Sequence, residues 1–174
     1  MKRYAIIVAG GKGSRFGSGV PKQFIELAGM PLLYYPLNVF KGLSEIILVL
    51  PSDYTDHWRS IIQQNNFRIS HTIAEGGESR AGSVKNGLGM IPDDDEALVA
   101  VHDAARPLIT AELAEKAFEE AEEFGSAVPV IPVHDTIREI SEKDSKTIDR
   151  SRLHTVQTPQ VFQLQTLLDA YQQK

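Results

Sequence analysis

The sequence predicts an α/β protein with a mostly parallel central sheet and a projecting β-arm. Three observations point there. Short apolar runs rich in β-branched residues alternate with helical stretches, the pattern of βαβ units whose parallel strands are covered on both faces. The first run, I-I-V-A at residues 6–9, stops at a glycine-rich loop. From about residue 132 the pattern changes to alternating strand-like stretches with a polar turn between them.

The loop after the first strand reads G-G-K-G-S-R-F-G-S-G-V-P-K-Q-F over residues 10–24. Glycine permits positive φ and lets backbone N–H groups come close to a ligand. Successive N–H groups in such a turn make a concave anion site, to which Lys12, Arg15 and Lys22 add positive charge. The dinucleotide fingerprint G-x-G-x-x-G is not met, because Phe16 stands where its last glycine belongs, and no G-K-[ST] step is present. Pro21 fixes its own φ and stiffens the approach to Lys22. The loop reads as a polyphosphate cradle, against the alternative of a flexible turn with solvated charges.

Residues 31–40 form a candidate helix in which Pro36 requires a late start or a bend. S-E-I-I-L-V-L-P at 44–51 is a buried strand ending at proline. Ser52 or Asp53 is placed to cap a helix running to about Gln64, and residues 67–73 alternate as another strand. A glycine turn over 75–83 opens a helix to about Met90. Residues 97–103 are a strand ending in Asp103, Thr110 starts an acidic helix to Phe124, and residues 127–130 suggest a short strand. Residues 132–155 form the arm, whose exposed edges suit dimerisation. T-P-Q-V-F at 158–162 precedes a final helix.

At 174 residues the chain suits a single domain, 1–174, with a sizeable core. A net charge of −5 gives no reason to expect nucleic-acid or membrane binding. The absence of cysteine excludes disulfides and thiolate zinc sites. No signal-peptide core or bilayer-length apolar run is found, so a cytoplasmic protein is expected.

Ligands of open parallel sheets bind beyond the carboxyl ends of the strands. The first loop, the 75–83 turn and residues 103–106 all follow predicted strands and can converge there. Asp103 is the best metal candidate, since Mg²⁺ prefers carboxylate and phosphate oxygens and takes few protein ligands. The competing reading is a carboxylate capping its own turn. His102 points to the opposite face and suits packing. His57, His71, His134 and His154 lack ligand spacing. Arg80 has Glu75 and Glu78 as nearby partners, the acidic run over 112–123 reads as a solvated face, and Ser83 is placed to read a base.

A-G-G-K-G-S-R-F with P-K-Q resembles the signature of sugar-nucleotide pyrophosphorylases and, more closely, of cytidylyltransferases acting on polyol phosphates. Taken in order with G-G-E-S-R-A-G-S-V, V-H-D-A-A-R-P, P-V-H-D-T and H-T-V-Q-T-P-Q, the motifs resemble the 2-C-methyl-D-erythritol 4-phosphate cytidylyltransferases of the non-mevalonate isoprenoid pathway. The resemblance implies a Rossmann-like nucleotidyltransferase fold, CTP as substrate, Mg²⁺ or another divalent cation, and a homodimer whose arm enters the neighbouring subunit. It implies that Ala9, Gly10, Gly11, Gly77, Glu78, Ser83 and Ala104 hold the nucleotide and that Arg15 and Lys22 bind triphosphate. It further implies that Asp103 holds the metal, and that Arg106, Thr136, Arg150 and Thr158 face the polyol phosphate, with Arg150 also in the catalytic set. Family members continue past the position of Lys174, so a C-terminal part of the family domain is expected beyond it; the stretch around Lys41 and Gly42 is slightly compressed. Ribitol-5-phosphate cytidylyltransferase is the nearest rival by motif, and a non-catalytic CTP-binding module is the alternative without turnover.

Overall fold

The computed structural model describes residues 1–10, 21–92 and 96–172. In chain order the elements are β1 (Lys2–Val8), β2 (Glu26–Leu27), β3 (Met30–Pro31), α1 (Tyr34–Phe40), β4 (Glu45–Leu50), α2 (Thr55–Asn65), β5 (Thr72–Glu75) and α3 (Arg80–Leu88). They continue with β6 (Ala97–Asp103), α4 (Ala111–Phe124), β7 (Ser126–Ala127), β8 (Val130–Pro132), β9 (Ile137–Ile140), β10 (Ser145–Ile148), β11 (His154–Val156), β12 (Gln160–Gln163) and α5 (Leu164–Gln172).

The central sheet has the order β5-β4-β1-β6-β12-β7. β5, β4, β1 and β6 run parallel, while β12 runs antiparallel to both of its neighbours. Alternation along each strand feeds two cores. Ala5 and Ile7 join Leu37, Phe40, Trp58 and Phe118 on the side of α1, α2 and α4. Tyr4 and Ile6 join Val84, Leu88, Leu164 and Leu167 on the side of α3 and α5. Strands buried on both faces explain the near-continuous apolar runs of β1, β4 and β6.

Several boundaries differ from the sequence expectation for physical reasons. α1 starts late, at Tyr34, which puts Pro36 in the first turn, where a missing N–H removes no helical bond. Neither Ser52 nor Asp53 caps α2; residues 52–54 form a 3₁₀ turn and no side chain caps the helix that follows. The 67–73 stretch contributes just Thr72 and Ile73 to β5, because Phe67 and Ile69 pack from the loop into the α2-side core. The strand expected at 127–130 is two pieces, β7 and β8, divided around Pro129. Residues 160–163, expected to lead directly into a helix, form β12.

The arm is built as expected in kind. β8 pairs with β11 at its base, with Val130 opposite Val156, and β9 pairs with β10 at its tip. The tip closes through Ser141 and Asp144, the polar turn of the sequence.

Candidate active site

The register lines up the carboxyl ends of the four parallel strands. Val8 lies beside Val49 and Asp103, and Leu50 beside Glu75. The ladder extends one step into each following loop. Ala9 N–H donates to the Val49 carbonyl at 2.9 Å, Gly76 N–H to Leu50 at 2.7 Å, and Ala104 N–H to Val8 at 3.0 Å. The loops expected to converge therefore leave the sheet side by side, as the strand-end rule requires.

Close approach, not positive φ, is what demands glycine here. A β-carbon on Gly10 would lie 2.6 Å from Ser83 Oγ, and one on Gly77 would lie 2.6 Å from the Gly82 carbonyl carbon. Ser83 is buried, in the first turns of α3, and its hydroxyl accepts from the Gly77 N–H at 3.0 Å. Ser79 caps that helix by accepting from Gly82 N–H. Gly10, Gly77 and Ser83 thus form one tight wall, with Ala9 buried behind it and Glu78 exposed on the turn.

Asp103 ends β6 on the face of α3. Its Oδ1 accepts from Arg80 Nε and its Oδ2 from Arg106 Nε, both at 3.0 Å. The partner of Arg80 is therefore Asp103, across the crevice, and neither Glu75 nor Glu78. Arg106 Nη1 also donates to Gln157 Oε1 at 2.5 Å. Among the described residues no group of three or more His, Asp or Glu side chains could enclose a metal. A lone strand-end carboxylate between cations still fits a magnesium ion that takes its remaining ligands from phosphate and water, provided an arginine yields one oxygen.

His102, one residue earlier, points to the other face, as expected, and is fully buried beside Phe40. Its Nε2 lies 3.2 Å from the Arg106 carbonyl, which can only accept, so Nε2 carries the hydrogen. Nδ1 must then accept from the Thr158 hydroxyl at 3.0 Å, and that hydroxyl in turn receives the Asp103 N–H at 3.4 Å. Burial, more than any neighbouring charge, pushes the imidazole down to about 4, so it stays neutral. Thr158, expected at the polyol, is 8% exposed, with its hydroxyl turned inward to this network.

Lys22 lies in a 3₁₀ turn whose next residue, Gln23, is 4% exposed and donates its side-chain amide to the Ala9 carbonyl at 2.8 Å. That bond fastens the P-K-Q segment to the end of β1. Gly11, Lys12 and Arg15 lie outside the described residues. Thr136 and Arg150 belong to the arm. Thr136 is exposed just before β9, and Arg150 donates to the His134 carbonyl. Sequence reasoning missed Gln23, Gln157 and the link from Arg80 to Asp103.

A cleft of about 380 Å³ sits at the opposite end of the sheet, lined by Arg3, Phe40, Leu43, Ala114, Glu115 and Phe118 among others. Its Arg3 guanidinium is held by Glu115 at 2.6 Å and lies over the Phe118 ring, and it borders the amino ends of the strands. The convergent polar groups are at the other end.

A mostly parallel α/β sheet that carries a glycine wall, two arginines and the Asp103 carboxylate beyond its strand ends has the nucleotidyltransferase fold. The model of the family "2-C-methyl-D-erythritol 4-phosphate cytidylyltransferase" matches residues 4–174. The chain belongs to that family. The enzyme of that name from Bacteroides thetaiotaomicron is 42% identical over 177 residues, covering 100% of this chain and 80% of the relative. Its counterpart from Porphyromonas gingivalis is 44% identical over 173 residues, covering 99% and 77%. The crystal structure of the Thermus thermophilus enzyme superposes with a TM-score of 0.78 at 29% identity, covering 99% of this chain and 76% of that one. The Francisella tularensis structure gives 0.80 at 26%, covering 99% and 77%. Among the described residues no helix is long and apolar enough to cross a membrane.

Proposed function

We propose that the chain transfers CMP from CTP to 2-C-methyl-D-erythritol 4-phosphate, releasing pyrophosphate, at the crevice beyond β1, β4, β5 and β6. The observation that carries this reading is that the wall of Gly10, Gly77 and Ser83 and the arginine-paired Asp103 lie at neighbouring carboxyl ends of the same parallel sheet, within a chain of this family.

The substrate phosphate is already anionic near neutral pH, its second pKa being about 6. No strong general base is needed. A phosphate oxygen attacks the α-phosphorus of CTP in line, a new P–O bond forms, and the bond to the β-phosphate oxygen breaks, with both electrons leaving on pyrophosphate. The obstacle is repulsion between anions. Lys22 and Arg15 are assigned to the triphosphate, where they offset charge growing on the α-phosphoryl and leaving oxygens. Ala9, Gly10, Gly11, Gly77, Glu78, Ser83 and Ala104 are assigned to the nucleoside side. Arg106, Thr136 and Arg150 are assigned to the polyol phosphate. A divalent cation held through Asp103 would supply charge neutralisation across the phosphates.

Thr136 and Arg150 sit on the arm, which favours a homodimer in which each arm completes its neighbour's site. Val130 and Val156, 49% and 54% exposed on one face of the arm's base, support a partner there. The reaction is tested by ³¹P NMR of CTP, Mg²⁺ and methylerythritol phosphate. The expected result is a new diphosphodiester pair with pyrophosphate; an unchanged CTP spectrum contradicts it.

A further inference from the structure

We propose that Gln157 is the positioning residue that aims Arg106 at the polyol phosphate and couples that aim to the base of the arm. The inference rests on the reading of Arg106 as a substrate-facing cation.

The backbone of Arg106 is fixed independently. Its carbonyl accepts from His102 Nε2–H, and its N–H donates to the Asp103 carbonyl at 3.1 Å. What remains to be set is the direction of a long, flexible side chain that is 45% exposed. Asp103 holds its Nε and Gln157 holds its Nη1. Asp103 divides itself between two arginines. Among the described residues Gln157 bonds no other cation, and it carries no charge to offset that of the guanidinium.

A guanidinium only donates, so the Gln157 amide oxygen faces it and the amide NH₂ faces Thr155 Oγ1, at 3.3 Å. Thr155 lies in β11, opposite Ile131 of β8, at the base of the arm. The main chain of Gln157 is anchored as well. Its N–H donates to the Pro129 carbonyl at 2.8 Å, and the next residue is Thr158, bonded to His102. An acceptor held on both sides can fix a guanidinium while leaving other N–H groups for a phosphate. A carboxylate here would place the cation equally well and weaken its pull on an anion.

The test is steady-state kinetics on the wild type, Gln157→Leu, Arg106→Leu and the double variant, with CTP and methylerythritol phosphate varied in turn. Gln157→Leu is expected to raise KM for the polyol phosphate roughly tenfold, with KM for CTP unchanged. On the Arg106→Leu background its further effect is expected to be less than about twofold, because the two act through one contact. Unchanged KM values in Gln157→Leu, equal increases in both, or an undiminished effect on that background overturn the proposal. If Arg106→Leu itself leaves KM for the polyol phosphate unchanged, the assignment of Arg106 falls and takes this inference with it. Should Gln157→Leu fail to fold, Gln157→Glu retains the acceptor and is expected to raise the same KM by offsetting charge; an unaltered KM there overturns the proposal.

Discussion

The side-chain amide of Gln23 donates to the carbonyl of Ala9 at 2.8 Å in a buried contact. A neutral residue thereby joins two segments of the site, the end of β1 and the turn that carries Lys22. Lys22→Ala is expected to lower turnover by roughly 10²-fold, the scale for losing one donor to transition-state charge. Gln23→Leu leaves the Ala9 carbonyl without its buried partner and should cost about 1–3 kcal/mol of stability. Its turnover should fall between wild type and Lys22→Ala. Thermal melts and turnover measured on the same samples check both; wild-type turnover in Lys22→Ala would remove that residue from the mechanism.

Gly10 and Ser83 are coupled by space. Gly10→Ala drives a methyl group to within 2.6 Å of Ser83 Oγ, so it should weaken CTP binding and lower the melting temperature. Adding Ser83→Ala removes the offending oxygen, since the Ser83 β-carbon itself lies at an ordinary 3.5 Å. The double variant should recover part of the stability, less what is lost with the Gly77 N–H bond to Ser83, without recovering CTP affinity. Calorimetric titration with CTP beside thermal melts separates the two effects, and a Gly10→Ala protein with wild-type values in both would show that the wall is not tight.

The buried Trp58 donates its indole N–H to His71 Nε2 at 2.9 Å, while His71 Nδ1–H donates to the Ile69 carbonyl at 2.8 Å. Burial holds the His71 pKa below its usual 6.5, with the Ile69 bond opposing in part. The unfolded chain therefore binds the proton more readily than the folded one. Stability is fully present above the unfolded value and declines as pH falls through about 6.5 towards the folded value. Urea unfolding followed by the fluorescence of Trp58, the single tryptophan, should show a lower midpoint at about pH 5.5 than at about pH 7.5, with the difference reduced in His71→Gln. Equal pH differences in the two proteins would exclude His71 as the source.

On the arm, Val130 and Val156 face the same way and are half exposed. Val130→Asp with Val156→Asp should convert a dimer into a folded monomer by sedimentation velocity, with the circular dichroism spectrum unchanged. A wild-type protein that sediments as a monomer contradicts the dimer.

Much of the fold was legible because β1, β4 and β6 are buried on both faces, which imposes long apolar runs that no loop would carry. β12 was not. Its Q-V-F-Q sequence is short and flanked by glutamines, and its place beside β6 comes from packing that no local pattern encodes. In the site, charge made Lys22, Asp103 and Arg106 conspicuous, and strand ends placed the latter two. Gln23 and Gln157 are neutral amides whose bonds to Ala9 and Arg106 reach partners 14 and 51 residues away in the chain, which no local pattern encodes. The loop glycines were read as serving positive φ or close approach to a ligand; at Gly10 the structure shows closeness to the Ser83 side chain instead, and positive φ is confined among the described glycines to Gly29 and Gly125.

The most direct test of cytidylyl transfer to methylerythritol phosphate is pyrophosphate release from CTP and Mg²⁺, with that polyol phosphate and ribitol 5-phosphate offered separately. Release with methylerythritol phosphate and a much slower rate with ribitol 5-phosphate is the predicted result. Release with ribitol 5-phosphate alone, or from neither while CTP still binds, would contradict the assignment.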